Sequence, residues 1–474
     1  MLTTSKIHHK TYPVTISVFI TIIVWLGSKW YFRDWFEDPY KYIAKAASLS
    51  ATILMCWCVL LSTRNFLLEN FFGGLDKVYQ IHKRIGRLSF FLILLHPVFL
   101  TAHNLPDILT FLKEMTFRKP DGNIYLLGQN IGVFALLIMF ILMAFTLWIK
   151  IPYHFWKKVH EWFGLVILLV ALHVIIVNKD VTAYPLLAVW VYSFLFIAIF
   201  SYIYIRFLYK IWGPRFIYTV SNITNHGELL EITLDPKIGN MDFKPSQFIY
   251  LVIKKNGISS EPHPYSIACG YNLESHIKLG IKKLGDHTRT LDKLNSGDEV
   301  ILYGPYGRFS DKFLTAERDC VFIGAGIGIT PFLGMWHVAL HSEERLDSRD
   351  VPKRLQYLHP EIIRTWRSPL VYFFYVCRTE EDATFDDDIK NEVIKSHFHG
   401  FTAFEKRGHY YECYLSKKHG RISAQYINEQ IKGGLQDKYI FMCGPSTMIK
   451  TLKMQFKKLG VKEHQFIVED FNLL

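Results

Sequence analysis

The first half of the chain alternates long apolar runs with short charged connections. Six runs approach the roughly 20 residues that a helix needs to cross a bilayer. They lie near 12–29, 43–62, 85–103, 131–149, 159–177 and 184–205. Beyond 213 the texture changes. Stretches such as QFIYLVI and HIKLGIKKL are short, strand-like and punctuated by Gly/Pro turns. The pattern predicts a six-helix transmembrane domain over 1–212, an all-β domain over 213–315 and an α/β domain over 316–474.

Charge sets the orientation. An even number of spans returns the chain to its starting side, so the N-terminus and the soluble half share one side. Arg64, Lys77, Lys83, Arg84, Lys150, Lys157, Lys158, Arg206 and Lys210 lie on that side, against Lys113, Arg118 and Lys119 on the other. The bias assigns the N-terminus and soluble half to the cytoplasm and the spans to a plasma membrane, the inner membrane in a bacterium. Lys6 and Lys10 precede an apolar run as in a signal peptide, but LGSKWYF offers no small-residue cleavage site, so the run reads as a retained span. A net charge of +12 would suit nucleic acid. No recognition motif accompanies it, so the lipid bilayer is the expected partner and nucleic acid is not. Seven cysteines without a CxxC pair, five of them in the C-terminal half, fit a reduced compartment. Cys56 and Cys58, within an apolar span, read as core thiols.

In the soluble half, VFIGAGIGITPF opens at 321 with strand residues, then Gly324, Gly326 and Gly328. Glycines at alternate positions let a backbone approach a pyrophosphate, and Thr330-Pro331 marks the start of the helix that would face it. A second apolar run, VYFFYVC, ends at Arg378, where a guanidinium suits a ribose 2′-phosphate or is simply solvated. A third, YIFMCGPSTMI, sets Cys443, Gly444 and Pro445 at another strand end. Three strand-to-turn units predict a parallel α/β nucleotide domain.

Ahead of these lie HPYSIA (263–268), IKKLGDHTRTL (281–291) and GPYG (304–307). In this order, followed by GAGIGITPF, they resemble the ferredoxin–NADP reductase family over nearly all of 214–474. The resemblance implies a β-barrel FAD-binding domain and an NADPH-binding domain. It implies that His263, Pro264, Tyr265 and Ser266 hold the flavin, with Tyr265 on the ring or ribityl chain and the Ser266 hydroxyl near N5, where hydride arrives. His263 stands where that family has arginine. His-Pro-aromatic-Ser/Thr is the form found in NADPH oxidases and ferric reductases. Gly285, Asp286 and Thr288 match the family's pyrophosphate motif. VEDFNLL resembles its closing Glu-x-Phe, which would lay Phe471 over the flavin, and Arg421 in HGRIS is a second candidate for the NADPH phosphate.

The membrane half carries its own chemistry. Ionisable groups within spans are rare and usually mark function. His82 and His96 are fourteen residues apart on the third span, His160 and His173 thirteen apart on the fifth. At 1.5 Å per residue each pair is separated by about 20 Å along its helix. The two spans run in the same direction, so His82 can meet His160 at one depth and His96 can meet His173 at another, each pair gripping a haem iron from both sides. Thirteen residues miss the same helix face by roughly 140°. The fifth helix must therefore be distorted, or serve differently placed haems. Gly86 and Gly164 leave room for the macrocycle or pack helices, Phe90 and Phe91 lie midway between the histidines, and His103 is a solvated end residue or lines an exit site.

This spacing, with His-Lys-x-x-Gly opening the third span, resembles the ferric reductase-like transmembrane domain shared by NADPH oxidases and ferric reductases. In length and lack of calcium-binding motifs the chain looks like the prokaryotic members. The resemblance implies two haem b groups, FAD and NADPH. Electrons would pass from cytosolic NADPH through FAD to His82/His160, then to His96/His173, then outside. The expected acceptor is O2, giving superoxide. A ferric chelate is the alternative and an extracytoplasmic protein the third. Eukaryotic oxidases add a histidine one turn after the outer ligand and an arginine on the second span. Leu100 occupies the first position here, and the second span has no arginine in its apolar stretch.

Overall fold

The computed structural model describes residues 11–33, 38–119, 121–270, 276–315, 317–341, 368–395, 397–398, 401–402 and 408–469. Contacts divide the chain into one unit ending at Trp212 and a second beginning at Gly213.

Among the described residues, six helices of the first unit are long and apolar enough to cross a membrane. The first is α1 (Tyr12–Phe32), the second α2 (Pro39–Leu61), the third α3 (Leu75–Thr101) and the fourth α4 (Ile124–Leu147). The fifth is broken into α5 (Tyr153–Glu161) and α6 (Phe163–Val177), and the sixth begins as α7 (Pro185–Ile203). Their starts are written locally. Asp38 accepts from the amides of Tyr40 and Lys41 ahead of Pro39, and Asn123 accepts from that of Tyr125, satisfying amides that the first turn leaves open. Of the two alternatives that the thirteen-residue spacing leaves for span five, a distortion is present. At Trp162 the amide turns back to the carbonyls of Val159 and His160, and α6 starts afresh. α2 lies along α3 and α4 along α6, whereas α3 and α6, which carry histidines, make at most slight backbone contact with each other.

The second unit opens with an antiparallel sheet of β1 (Arg215–His226), β2 (Leu229–Ile238), β3 (Phe248–Ile253), β4 (His263–Ser266), β5 (Ile277–Lys282) and β6 (Glu299–Tyr306). Its order is β4-β3-β6-β1-β2-β5. An antiparallel bridge between Ile267 and Leu279 and a bond from the Ala268 amide to the Lys278 carbonyl bring the two edges together, so the sheet curls closed. Its inside is filled by Val220, Ile232, Leu234, Ile249, Leu251, Ile277 and Leu302. The expected helix-and-strand domain follows. β7 (Cys320–Ala325), β8 (Val371–Cys377), β9 (Tyr410–Leu415), β10 (Tyr439–Cys443) and β11 (Phe466–Glu469) form a parallel sheet in the order β9-β8-β7-β10-β11. β7, β8 and β10 are buried at every residue, as a sheet covered on both faces requires. One face packs on Phe332, Met335 and Trp336 of a helix at Thr330–His341, the other on Ile449, Leu452 and Phe456 of a helix at Ser446–Lys458.

Candidate functional site

In the membrane unit the histidine rings are held by their backs. His82 Nδ1 lies 2.9 Å from the Cys58 carbonyl, His96 Nδ1 3.0 Å from that of Ala44, and His173 Nδ1 2.8 Å from that of Gly128. A carbonyl can only accept, so each Nδ1 carries the proton and each Nε2 presents a lone pair. Metal-bound histidines commonly hold their second nitrogen this way. Cys58 and Ala44 are fourteen residues apart on α2, as His82 and His96 are on α3. The antiparallel α2 therefore supplies one carbonyl at each level. Cys58 lies in the last turn of α2, where carbonyls have no partner one turn on. His160 Nδ1 sits 3.5 Å from the Thr146 hydroxyl, which itself donates to the Leu142 carbonyl.

The His82 and His160 rings face each other with centres 6.1 Å apart. Metal–imidazole bonds of about 2 Å would set two rings on opposite sides of one iron at roughly that separation. The Trp156 ring stacks on His160 at 4.8 Å and fixes its plane. His96 and His173 are close enough to interact electrostatically. These four residues fit two bis-imidazole sites.

Three supports were not apparent from sequence. A Cβ on Gly132 would fall 2.5 Å from His173 Nδ1, so only glycine admits that ring. Gly128 and Gly132 form a GxxxG pair, and that spacing in an apolar helix was the available signal. Lys45, near the start of α2, acts electrostatically on both His96 and His173. It pairs with Asp180 Oδ2 at 3.4 Å and Asn178 Oδ1 at 3.2 Å, while Lys29 meets Asp180 Oδ1 at 3.1 Å and Trp25 Nε1 donates to Oδ2. Burial raises the Asp180 pKa, but Lys45, Trp25 and Lys29 together pull it below the ordinary carboxylate value. Lys29 and Lys45 thus converge on Asp180 at this end of the pair.

Other expectations change. A Cβ on Gly164 would strike the Tyr202 ring at 2.0 Å, so that glycine serves helix packing, whereas one on Gly86 would make only ordinary contact with Cys58 Sγ at 3.5 Å. Phe90 is buried against Phe140 and Trp148, whereas Phe91 faces outward. His103 is exposed beside Glu114.

In the second unit the two flavin motifs meet. The His263 and His287 rings stack 3.6 Å apart, joining β4 to the Gly285–Thr288 turn. Gly285 and Thr288 lock that turn, the Gly285 amide donating to Thr288 Oγ1 and that hydroxyl to the Gly285 carbonyl, each at 3.0 Å. Asp286 begins the short helix that follows. Burial lowers the His287 pKa against the opposing pull of Glu261. His287 has no signal in the sequence, because only the closed barrel brings it to His263. Ser266 is buried at the end of β4, next to Tyr265 and Pro264. The Tyr265 hydroxyl is buried with no hydrogen-bond partner among the described residues, and burial raises its pKa. A buried hydroxyl left unsatisfied is costly unless a bound group completes it, so this cradle fits a flavin.

At the nucleotide end the glycine turn and the Gly-Pro turn interlock. A Cβ on Gly328 would lie 2.6 Å from the Cys443 carbonyl oxygen, one on Gly444 2.9 Å from Ala325 Cβ, and one on Gly324 2.8 Å from Ile329 Cδ1. Gly326, at φ 55°, faces open space. Thr330 Oγ1 donates to the Ile327 carbonyl, and Pro331 lies buried in the first turn of the Thr330–His341 helix. Pro445 precedes the Ser446–Lys458 helix. Both turns lie at the carboxyl ends of adjacent parallel strands, where such sheets bind dinucleotides. Arg378 follows β8 directly and is exposed. Arg421, also exposed, lies beyond the neighbouring β9. Phe471 lies outside the described residues.

Comparison with known proteins fits this layout. Residues 47–171 match a "Ferric reductase like transmembrane component", 216–310 an "FAD-binding domain" and 322–454 an "Oxidoreductase NAD-binding domain". The chain is 26% identical over 253 residues to sulfhydrogenase 2 subunit gamma of Pyrococcus furiosus, covering 51% of this chain and 77% of that one. It is 22% identical over 275 residues to a superoxide-generating NADPH oxidase heavy chain of Dictyostelium discoideum, covering 52% of this chain but only 39% of that relative. Among solved structures, the flavohemoglobin of Malassezia yamatoensis aligns with a TM-score of 0.46 at 14% identity, over 90% of this chain and 96% of that one. A ferredoxin NADP+ reductase from Neisseria gonorrhoeae aligns with a TM-score of 0.39 at 16% identity, over 54% and 98%.

Proposed function

We propose an electron path across the membrane for this chain, which joins a ferric reductase-like transmembrane component to FAD-binding and NAD-binding domains. Such a chain is a multi-pass membrane NAD(P)H-dependent flavin oxidoreductase. The finer reading is transfer from cytosolic NADPH to an acceptor outside, with O2 reduced to superoxide. When bound, FAD accepts a hydride and releases single electrons, and two haem b groups relay them, chemistry that no side chain here supplies.

The chain's own part is to hold and orient. His82 with His160, and His96 with His173, offer Nε2 lone pairs to two irons. The observation that carries this reading is the set of Nδ1 contacts to the Cys58, Ala44 and Gly128 carbonyls, which fix both tautomer and ring direction. His263, Tyr265 and Ser266 with the Gly285–Thr288 turn would seat FAD, and Gly324, Gly326, Gly328, Cys443, Gly444 and Pro445 would receive the NADPH pyrophosphate. Arg378 and Arg421 are the groups available to a 2′-phosphate.

For the acceptor, the Lys45 ammonium, which acts on both His96 and His173, supports a one-electron product that gains negative charge there, as O2 does on becoming superoxide. In the connection between the third and fourth spans, Arg118 pairs with Glu114 and Lys119 with Asp121, which weakens its attraction for an anionic ferric chelate.

The test is cytochrome c reduction by the full chain in detergent, loaded with haem, FAD and NADPH, with and without superoxide dismutase. Dismutase is expected to remove most of the signal. Lys45→Met should lower the dismutase-sensitive rate about tenfold, less than the roughly 100-fold that removing a donor in direct contact with developing charge costs, while haem and FAD contents stay unchanged. A dismutase-insensitive signal with fast reduction of a ferric chelate would make the protein a ferric reductase instead.

A further inference from the structure

Away from both sites, one group of three metal-capable side chains lies together among the described residues: His337, His341 and Glu392. The histidines sit one turn apart near the end of the Thr330–His341 helix, and Glu392 comes from a neighbouring helix, Asp386–Lys395. Positions i and i+4 share a helix face, so both rings turn the same way. Glu392 Oε2 lies 3.0 Å from His337 Nδ1 and 3.2 Å from His341 Nε2. All three donor atoms fall within 4.8 Å of one another.

We propose that His337, His341 and Glu392 form a binding site for a zinc-class divalent metal ion, ligated by His337 Nδ1, His341 Nε2 and a Glu392 carboxylate oxygen. Ligand atoms about 2 Å from a tetrahedral zinc lie roughly 3.3 Å from each other, close to the distances from Glu392 Oε2 to the two rings. Two imidazoles and one carboxylate are a known zinc donor set, with water taking the fourth position. The carboxylate is ready for the role. Both imidazole rings already reach its Oε2, so the three donors converge on one point. Lys395 approaches the other oxygen only at 3.8 Å and is itself exposed.

The location gives the metal a mechanical consequence. A Cβ on Gly270 would lie 2.3 Å from the His337 ring, so His337 sits where the FAD-binding barrel meets the nucleotide domain. The helix that carries both histidines starts directly after the glycine turn. A bound ion would tie the end of that helix to Asp386–Lys395 at this junction. The site does not depend on the electron-path reading, because it uses none of the same residues.

The experiment is zinc binding to the untagged full chain, stripped with chelator and returned to equimolar zinc, with metal counted by mass spectrometry after desalting. One zinc per chain is expected, in addition to any iron. His337→Ala with His341→Ala, and separately Glu392→Gln, should weaken binding by at least roughly 100-fold, more than the loss of an outer-shell partner costs. FAD content serves as the folding control. X-ray absorption at the zinc edge of the unmodified chain should show two imidazole ligands, and this readout stands even if a variant fails to fold. Equal zinc in the unmodified chain and the folded variants, no zinc in the unmodified chain, or fewer than two imidazoles would overturn the site.

Discussion

Replacing His96 with alanine is expected to halve the haem content of the purified chain and to lower NADPH-driven reduction of the external acceptor at least about 100-fold. Removing an outer-shell partner of a metal ligand already costs roughly 10–100-fold in affinity, and removing the ligand itself should exceed that. Three readouts separate this from misfolding: pyridine haemochrome content, FAD content, and NADPH reduction of a soluble dye taken directly from the flavin. The first should fall by half, and the other two should hold. His103→Ala, on an exposed residue beside Glu114, should leave all three unchanged. Gly132→Ala should produce a weaker version of the His96 result, because its new Cβ would press on His173 Nδ1. Full haem content in His96→Ala would mean that the iron is held elsewhere, and the four-histidine assignment would fail.

How far the sequence carries is clearest at these histidines. The six spans are readable because a bilayer demands long apolar runs, and no other helix among the described residues imitates them. The break in span five is readable only as one of two alternatives: thirteen residues do not return to the same face, which allows a distorted helix or differently placed haems, and the chain breaks at Trp162. What holds each ring is not readable. Cys58, Ala44 and Gly128 act through backbone carbonyls, which carry no residue signature. Lys45 is one of two lysines, with Lys41, near the start of the second span, so nothing local marks it. Its neighbours Asp180 and Lys29 come from distant parts of the chain, so the charge cluster exists only after folding. The flavin motifs are legible as separate strings. The stack of His263 on His287 depends on closure of the barrel between β4 and β5, a long-range contact that no local pattern encodes. Glu392 sits on a helix rich in acidic and basic residues, so on sequence alone it reads as a solvated position.

The nucleotide end yields the sharpest steric consequence. Gly328→Ala would place a methyl group 2.6 Å from the Cys443 carbonyl oxygen, 2.8 Å from its carbon and 2.9 Å from Gly444 Cα. All three are backbone atoms in the facing turn, so no side chain can swing away to make room. Either turn must move by a sizeable fraction of an ångström, and both are proposed to face the NADPH pyrophosphate. A displacement of about 1 Å at a positioning element can cost on the order of 100-fold. Stopped-flow reduction of the flavin across a range of NADPH concentrations should therefore show the half-saturating concentration raised about 100-fold, with FAD content intact. Gly326→Ala is the informative contrast. Its Cβ meets nothing within 4 Å, and only its φ of 55° is unfavourable for alanine. A left-handed alanine costs roughly 1–2 kcal/mol, spread over a turn with space to relax, so its effect should be much smaller. Equal effects of the two substitutions would point to backbone conformation rather than turn-to-turn contact as the constraint. No effect of Gly328→Ala would remove the interlocked turns from the NADPH site.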